Sequence, residues 1–167
     1  MQVSRSAPLT IEPLAKHHDR RTFDCGEPSL NRYIRQQVSQ DIRRRISRVF
    51  EATSGDAATL LGFYTLSALS IHLNDLPANV AAKLPKHPIP AALLGRLAVA
   101  KDAQGEGVGK LLLADAVKRT LAAGKEIAIH ALFVDAVDDR AVAFYQHFGF
   151  MPLESNNQRL YLPLNVL

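Results

Sequence analysis

Three glycines stand within five positions, at Gly105, Gly107 and Gly109, between the apolar run at residues 92–99 and a strongly helical stretch. The first N–H groups of a helix have no intrahelical acceptor, and the helix dipole places partial positive charge beside them. Glycines leave such N–H groups open to a ligand because no Cβ blocks the approach. The junction therefore predicts an anion-binding loop, and the alternative is a glycine-rich turn with only a structural role.

The spacing of this loop differs from that of the common nucleotide-binding loops. A P-loop ends in Gly-Lys-Ser or Gly-Lys-Thr, whereas Lys110 is followed by Leu111. A dinucleotide-binding loop needs G-x-G-x-x-G and an acidic residue well after it, which this sequence does not place. The pattern present is Q-x-x-G-x-G, formed by Gln104, Gly107 and Gly109.

Positive charge is concentrated in one segment of the chain. From Arg20 to Arg48 there are eight arginines and three acidic residues, which give this segment a net charge of +5. The whole chain has a net charge of +4, so the remaining residues together carry −1. The forked donors of arginine suit contacts to phosphate. The alternatives are a solvated basic face and a face that is neutralised by the acidic tail of a partner.

The composition, 47% hydrophobic and 22% charged, fits one globular domain over residues 1–167. No apolar run approaches the roughly 20 residues that span a bilayer, and the first ten residues lack the apolar centre of a signal peptide. The single Cys25 excludes an intramolecular disulfide and a multi-cysteine metal site, and the six histidines, with His17 beside His18, show no metal-ligand spacing. We expect a cytoplasmic protein without a metal.

The elements that must position these residues follow from periodicity and turn signals. A helix within residues 23–42 is predicted by the apolar stripe Leu30, Ile34, Val38 and Ile42, at steps of four. The other elements predicted for the first half of the chain are a strand at 9–16, hairpin strands at 45–52 and 59–69, and a short helix with a proline-interrupted loop at 76–90.

The second half predicts alternating strands and helices. Strands are expected at 92–99 and 126–134, helices at 107–122 and 138–148, and two short tail strands at 150–153 and 159–164. This order predicts an α/β fold in which a mixed sheet of about six to seven strands has helices on both faces.

The motif Q-x-x-G-x-G between a strand and a helix resembles the acetyl-CoA diphosphate loop of the GNAT acyltransferases. The resemblance implies a GNAT fold, acetyl-CoA as cosubstrate and no metal. It also implies that backbone N–H groups grip the diphosphate, and that the main chain at 97–99 pairs with the pantetheine arm in a slot where this strand splays from 126–134. The cofactor-binding residues implied in this way are Leu97, Ala98, Val99, Gln104, Gly105, Glu106, Gly107, Val108, Gly109 and Lys110.

Tyr145 is the candidate catalytic residue. The stretch "AVAFYQHFGF" resembles the A-x-x-F-Y-x-x-x-G-F pattern near the C-terminus of GNAT enzymes, with Tyr145 four residues before Gly149. The resemblance implies that its hydroxyl reaches the acetyl-CoA sulfur, where a phenol can protonate the departing thiolate. The alternative is a core tyrosine, as we expect of Phe144 and Phe148, which fall at core spacing.

The remaining chemistry of acetyl transfer is assigned less directly. A GNAT enzyme needs no covalent intermediate, so Cys25 is not a nucleophile. No acid stands out as general base, because Glu106 lies in the loop and Asp135, Asp138 and Asp139 are expected to cap the last helix. An α-amine, with a pKa of about 7.7–8.0, is already partly neutral, and a neighbouring ester should lower this pKa further. Such an amine can react with only water to take its proton, so the α-amine of an aminoacyl ester is favoured over a lysine side chain as the acceptor.

The stretches "FDCGEPSLNRYI", "GFYTLSALSI", "LPKHPIPAALLGRLAV" and "LFVDAVDDRAVAFYQHFGF" resemble the GNAT toxins of bacterial toxin–antitoxin pairs over nearly the whole chain. The resemblance implies acetylation of the α-amine of aminoacyl-tRNA, which blocks translation. It also implies a ribbon-helix-helix antitoxin as partner, a homodimer, and tRNA contacts from Arg43, Arg44, Arg45 and Arg48.

Two other functions stay open at the level of the sequence. One is a GNAT enzyme for a small amine or a protein amine, and the other is a binding scaffold that works with a DNA-bound repressor. Arg96, within an apolar strand, is equally suited to a structural ion pair and to a substrate contact.

Overall fold

The computed structural model describes residues 9–15, 18–54, 59–86 and 88–166, without the side chain of Val166. These ranges leave out the end of the first predicted strand at Lys16, residues 55–58 between the two predicted hairpin strands, His17 and His87.

Seven strands form one mixed sheet: β1 (Thr10–Pro13), β2 (Arg48–Thr53), β3 (Leu60–Ile71), β4 (Ile89–Val99), β5 (Ala131–Asp135), β6 (Met151–Pro152) and β7 (Arg159–Pro163). Their order across the sheet is β1-β2-β3-β4-β5-β7-β6. Strand β4 pairs parallel with β5, whereas β1 with β2, β5 with β7, and β6 with β7 are antiparallel. This confirms the predicted α/β class with a mixed sheet flanked by helices.

The predicted first helix forms in three consecutive parts, namely α1 (Pro28–Arg32), a π-helical turn (Tyr33–Gln37) and α2 (Val38–Arg43). No helix in the described part of the chain is long and apolar enough to cross a membrane. The remaining helices are α3 (Ala78–Ala81), α4 (Val108–Ala123) and α5 (Asp139–His147), with 3₁₀ turns at Leu73–Asp75, Lys101–Ala103 and Leu164–Val166.

The described residues pack into two compact units. The first unit contains those within Met1–Thr65 and Leu97–Ala116, and the second contains those within Leu66–Arg96 and Val117–Leu167. Strands β3 and β4 and helix α4 each contribute residues to both units.

The core of the first unit includes the apolar stripe that was predicted for its helix. Leu30, Ile34 and Val38 are buried, while Ile42 is half-buried. Steps of four residues exceed the 3.6 residues of an α-helical turn, and the π-helical turn accommodates the difference. Phe63 of β3 packs on this helix, with its ring centroid 6.2 Å from that of Tyr33.

The core of the second unit joins β5 and β7 to the ends of β3 and β4. Residues Ala91–Leu94 pair with Ala131–Val134 in the parallel ladder, and Phe133 stacks on Tyr161 across the β5–β7 pair. The buried members of this cluster are Ile71, Leu76, Ile89, Ala91, Ala131, Phe133, Leu153 and Tyr161.

Two predicted strands begin later than the sequence indicated. The predicted strand at 45–52 begins at Arg48, because the N–H groups of Ile46 and Ser47 still donate to the Asp41 carbonyl and complete the helix end. The predicted strand at 126–134 begins at Ala131, because the Ile127 N–H donates to the Ala123 carbonyl at the end of α4. In both places, apolar residues beside a helix end were wrongly taken as strand.

A buried carboxyl lies in the first unit, on β2. Glu51 is fully buried, and its Oε2 contacts Nδ1 of the buried His18, whose Nε2 lies 2.9 Å from Oε1 of Glu12. Burial raises the pKa of Glu51 to about 8, the positive charge of Arg20 lowers this pKa, and the negative charge of Glu12 raises it. At neutral pH a protonated Glu51 can therefore donate to His18, while His18 donates to Glu12.

This raised pKa predicts a stability that depends on pH. Glu51 stays protonated in the folded protein up to about pH 8, whereas its unfolded carboxyl ionises near pH 4.3. The contribution of Glu51 to the free energy of unfolding is therefore complete below about pH 4.3 and is lost as the pH rises towards 8. Glu51→Gln should remove this part of the pH dependence in urea unfolding at pH 5 and pH 8, and the exposed-site control Glu154→Gln should retain it. Equal pH dependence in wild type and Glu51→Gln would contradict this assignment.

Candidate active site

The backbone is exposed at the junction between β4 and α4. After the 3₁₀ turn at Lys101–Ala103 the chain turns through residues 104–107, with φ of +83° at Gly105 and +85° at Gly107. A Cβ at either glycine would have no atom within 4 Å. The glycines are therefore required by their left-handed backbone and not by crowding, and the space in front of them is open to a ligand.

Helix α4 begins behind this turn, and its first N–H groups lie where a helix provides no acceptor. The Leu111 N–H donates to the Gly107 carbonyl at 3.1 Å, so Val108, Gly109 and Lys110 form the first turn. The helix is 16 residues long and carries no acid in this turn. Its start at Val108 agrees within one residue with the predicted start, and such an end attracts an anion.

Gln104 directs its side chain towards the protein. Its Nε2 donates to the Val99 carbonyl at 2.9 Å and to the Cys25 carbonyl at 3.0 Å. Both amide hydrogens are used in this way, so the side chain connects the start of the loop to the end of β4 and to the segment before α1.

The predicted pantetheine strand is the end of β4. The register of β4 with β5 runs from Ala91 to Leu94, while β4 itself continues to Val99. Within this continuation Leu97 and Val99 are half-buried and Ala98 is buried. The geometry fits the predicted role, which stays a prediction.

Tyr145 lies in the second unit, in helix α5. Asp138 caps this helix by accepting from the Ala141 N–H at 2.8 Å. Tyr145 is only 3% exposed and lies between the rings of Phe144 and Phe150, with centroids at 5.3 and 5.7 Å.

The Tyr145 hydroxyl is protonated at neutral pH, as an ordinary phenol with a pKa of about 10 also is. Loss of solvent raises the pKa of this phenol far above its ordinary value, and the negative charge of Asp135 raises it further. A group that must donate a proton at neutral pH needs this protonation state.

One of the three predicted helix caps has a different partner. Asp135 ends β5 and forms a bidentate pair with Arg159 of β7, at 2.7 and 3.1 Å, while Asp138 is the cap and Asp139 lies in the first turn. Sequence reasoning missed Arg159, because only the antiparallel register of β5 with β7 places it opposite Asp135.

The predicted tRNA-binding arginines lie at the end of α2 and the start of β2 in the first unit, and all are exposed: Arg43, Arg44, Arg45 and Arg48. Arg45 has a left-handed backbone, with φ of +59°, at the end of the helix. Arg32 and Arg35 of the preceding helical segment are exposed too, and the Arg35 guanidinium donates to the Phe23 carbonyl.

Neither Arg96 nor a cluster of metal-ligating side chains adds a further site in the part of the chain that the structure describes. Arg96 is half-buried in β4 and has an interaction partner. Among the residues that the structure describes, no cluster of three or more histidine, cysteine, aspartate or glutamate side chains is placed to hold a metal ion.

Comparison with known proteins places this chain in a family. Residues 56–152 match the model of the acetyltransferase (GNAT) domain, and the chain belongs to that family. A tRNA-acetylating toxin of Mycobacterium tuberculosis is 40% identical over 79% of this chain and 78% of its own length. A probable toxin TacT of Sinorhizobium fredii is 31% identical over 97% and 94%, respectively.

Solved structures of similar chains agree in fold. A tyrosine-to-phenylalanine mutant of KacT has a TM-score of 0.89 at 36% identity, covering 95% of this chain and 96% of that one. AtaT complexed with acetyl-methionyl-tRNAfMet has a TM-score of 0.87 at 34% identity, with 95% and 96% covered. A mutant AtaT toxin bound to the C-terminus of the antitoxin AtaR and acetyl-CoA has a TM-score of 0.80 at 31% identity, with 95% and 94% covered.

The protonated phenol of Tyr145 predicts a separation of binding from turnover. Tyr145→Phe should keep the affinity for acetyl-CoA and lower kcat by about 10²–10⁴-fold, the range expected for removal of a general acid. Calorimetric titration and an acetyl-transfer assay measure the two quantities. Tyr161→Phe, at another buried tyrosine of the second unit, is the matched control and should retain turnover. Full turnover by Tyr145→Phe would contradict the assigned role.

Proposed function

We propose that this chain is a toxin acetyltransferase that moves the acetyl group of acetyl-CoA to the α-amine of aminoacyl-tRNA and so blocks translation. The observation that carries the proposal is the open backbone at Gly105 and Gly107 before the first turn of α4, in a GNAT chain that is 40% identical to a tRNA-acetylating toxin.

The chain's own groups would divide the work between binding and proton transfer. Backbone N–H groups from Gly105 to Lys110 face the diphosphate of acetyl-CoA, and the main chain of residues 97–99 pairs with its pantetheine arm. The amine attacks the thioester carbonyl, the C–S bond breaks, and Tyr145 gives its proton to the departing sulfur. The amine loses one proton to water, since a free α-amine with a pKa of about 7.7–8.0 needs no strong base. The Tyr145 oxygen takes one proton back from water, so the phenol is restored and no net proton is released.

The arginine segment supplies the contacts to tRNA in this proposal. Arg43, Arg44, Arg45 and Arg48 are exposed within six consecutive positions, and guanidinium groups bind phosphate oxygens in a bidentate way. The similar AtaT complexed with acetyl-methionyl-tRNAfMet supports a tRNA acceptor for this chain.

The partners and the setting complete the proposal. The AtaT structure with the C-terminus of AtaR supports neutralisation by an antitoxin, which we propose to be of the ribbon-helix-helix type. We also propose a homodimer of single GNAT domains over residues 1–167 that works in the cytoplasm, where acetyl-CoA and charged tRNA are found.

The experiment that tests this function follows radiolabel from [14C]acetyl-CoA onto charged total tRNA. We expect label on aminoacyl-tRNA with the wild-type protein, none on uncharged tRNA, and strongly reduced label with Tyr145→Phe. Acetyl-CoA binding without label on charged tRNA would reject the acceptor and redirect the search to small amines and protein N-termini.

Replacement of the arginines predicts a loss that is specific to the acceptor. The variant with Arg43, Arg44, Arg45 and Arg48 changed to Ala should keep its affinity for acetyl-CoA and bind tRNA at least about tenfold more weakly. Its binding should also depend less steeply on salt, because fewer counterions are released.

A charge-matched control separates position from net charge. The control changes four exposed lysines of the second unit to Ala, at Lys83, Lys86, Lys118 and Lys125. It should retain most tRNA binding in filter-binding titrations at several salt concentrations. Equal losses in the two variants would reject the assigned surface.

A further inference from the structure

We call residues 101–110, which follow β4 and include the first turn of α4, the glycine loop. The segment Phe23–Gly26, which precedes α1, is attached to the start of this loop within the first unit. The Lys101 N–H donates to the Asp24 carbonyl at 2.9 Å, and the Lys101 ammonium lies 3.5 Å from the Asp24 carboxylate. Gln104 adds the bond from its Nε2 to the Cys25 carbonyl. Three contacts therefore connect the loop to this segment.

The same segment is attached to the arginine-bearing helix on its other side. Asn31 of α1 donates from Nδ2 to Asp24 Oδ1 at 2.9 Å and accepts from the Cys25 N–H at 2.9 Å. Asp24 Oδ1 also accepts from the Gly26 N–H at 2.9 Å, which closes a turn in which Gly26 has φ of +91°. We call Asp24, Asn31, Lys101 and Gln104 together the brace.

The hydrogen bonds of Gln104 limit what this residue can do for a ligand. Both hydrogens of its amide go to the carbonyls of Val99 and Cys25. The remaining Oε1 is an acceptor, which cannot bond to an ionised diphosphate oxygen. A contribution of the Gln104 side chain to diphosphate binding must therefore act through the position of the loop.

The loop has a physical need for such a contribution. Gly105 and Gly107 are exposed and have no neighbour at the Cβ position, and glycine loses more conformational freedom than any other residue when it is fixed. A loop that is held in place before the ligand arrives binds more tightly, because less ordering remains to be done.

We propose that Asp24, Asn31 and Gln104 are positioning residues for acetyl-CoA. They hold the start of the glycine loop against the Phe23–Gly26 segment, so that the N–H groups of Gly105–Lys110 stay aimed at the diphosphate. The inference rests on the proposed function, and it gives Asp24, Asn31 and Gln104 a role in acetyl-CoA binding through the loop that they hold.

The test is a double-mutant cycle on acetyl-CoA binding, with Gln104→Ala, Asn31→Ala and the pair. Each single variant should raise the Kd for acetyl-CoA, and the KM in the transfer assay, by about tenfold at nearly unchanged kcat. The pair should be little worse than the weaker single variant, because either change already releases the loop. The matched control is Ser29→Ala, which is also in α1. The Ser29 hydroxyl donates to the side chain of Glu27 and has no bond to the brace, so this variant should bind acetyl-CoA as the wild type does.

Folding of the variants is a minor concern, because Gln104 is exposed and Asn31 is half-buried. Thermal denaturation checks it, and Lys101→Ala, at another exposed member of the brace, gives a second cycle with Gln104→Ala. Single variants that bind acetyl-CoA as tightly as the wild type would overturn the inference, and so would losses that multiply in the pair.

The two levels of the proposal fail in different ways. A wild-type protein that binds no acetyl-CoA rejects the proposed function itself. A wild type that binds and transfers, beside brace variants with unchanged Kd and KM, rejects only the positioning role.

Discussion

The turn from β4 into α4 must keep its N–H groups open to an anion and still be held in one position, and other parts of the first unit provide the contacts that hold it. A helix start attracts an anion only if its N–H groups are open, and an open backbone has few contacts of its own to fix it. Gly105 and Gly107 give the turn its left-handed conformation, and the apolar stripe of the preceding helix supplies a fixed body beside it. The bonds of Gln104 to the carbonyls of Val99 and Cys25 connect the turn to the end of β4 and to the segment before this helix. Openness for the ligand and order of the loop are thus provided by different residues.

The second unit contributes Tyr145 to the proposed mechanism, and this residue is buried, whereas the glycine turn of the first unit is exposed. Tyr145 is held by neighbouring aromatic rings in a capped helix, and loss of solvent raises the pKa of its hydroxyl. The ion pair of Asp135 with Arg159 fixes the end of β5, and the Asp135 charge favours the same protonated form. In the proposed mechanism an anion is bound by exposed N–H groups, and a proton is supplied by a buried hydroxyl.

Local patterns were sufficient for the order of the helices and strands and for the turn with open glycines before α4. The stripe of Leu30, Ile34 and Val38, the glycines before α4, and Asp138 as a cap are all signals within a few residues, and each was predicted. The start of β5 was misplaced because an apolar sequence beside a helix end has no local mark of where pairing begins.

Contacts between distant residues could not be predicted in this way. Gln104 lies 79 residues from Cys25, and its inward side chain depends on how the chain folds back on itself. The contact of Glu51 with His18 likewise arises only when β2 is placed beside β1. Such pairs add to a residue's expected role: Gln104 is predicted to bind the cofactor, and its amide hydrogens bond to the protein.

The most direct measurement of the central claim records backbone amide resonances of the glycine loop by 15N NMR during titration with coenzyme A and, separately, with pantetheine. If the N–H groups at the start of α4 bind the diphosphate, coenzyme A shifts the resonances of Gly107 and Gly109, while pantetheine, which has no diphosphate, leaves them in place. Equal shifts with both ligands, or binding of coenzyme A without any shift at these glycines, would contradict the account.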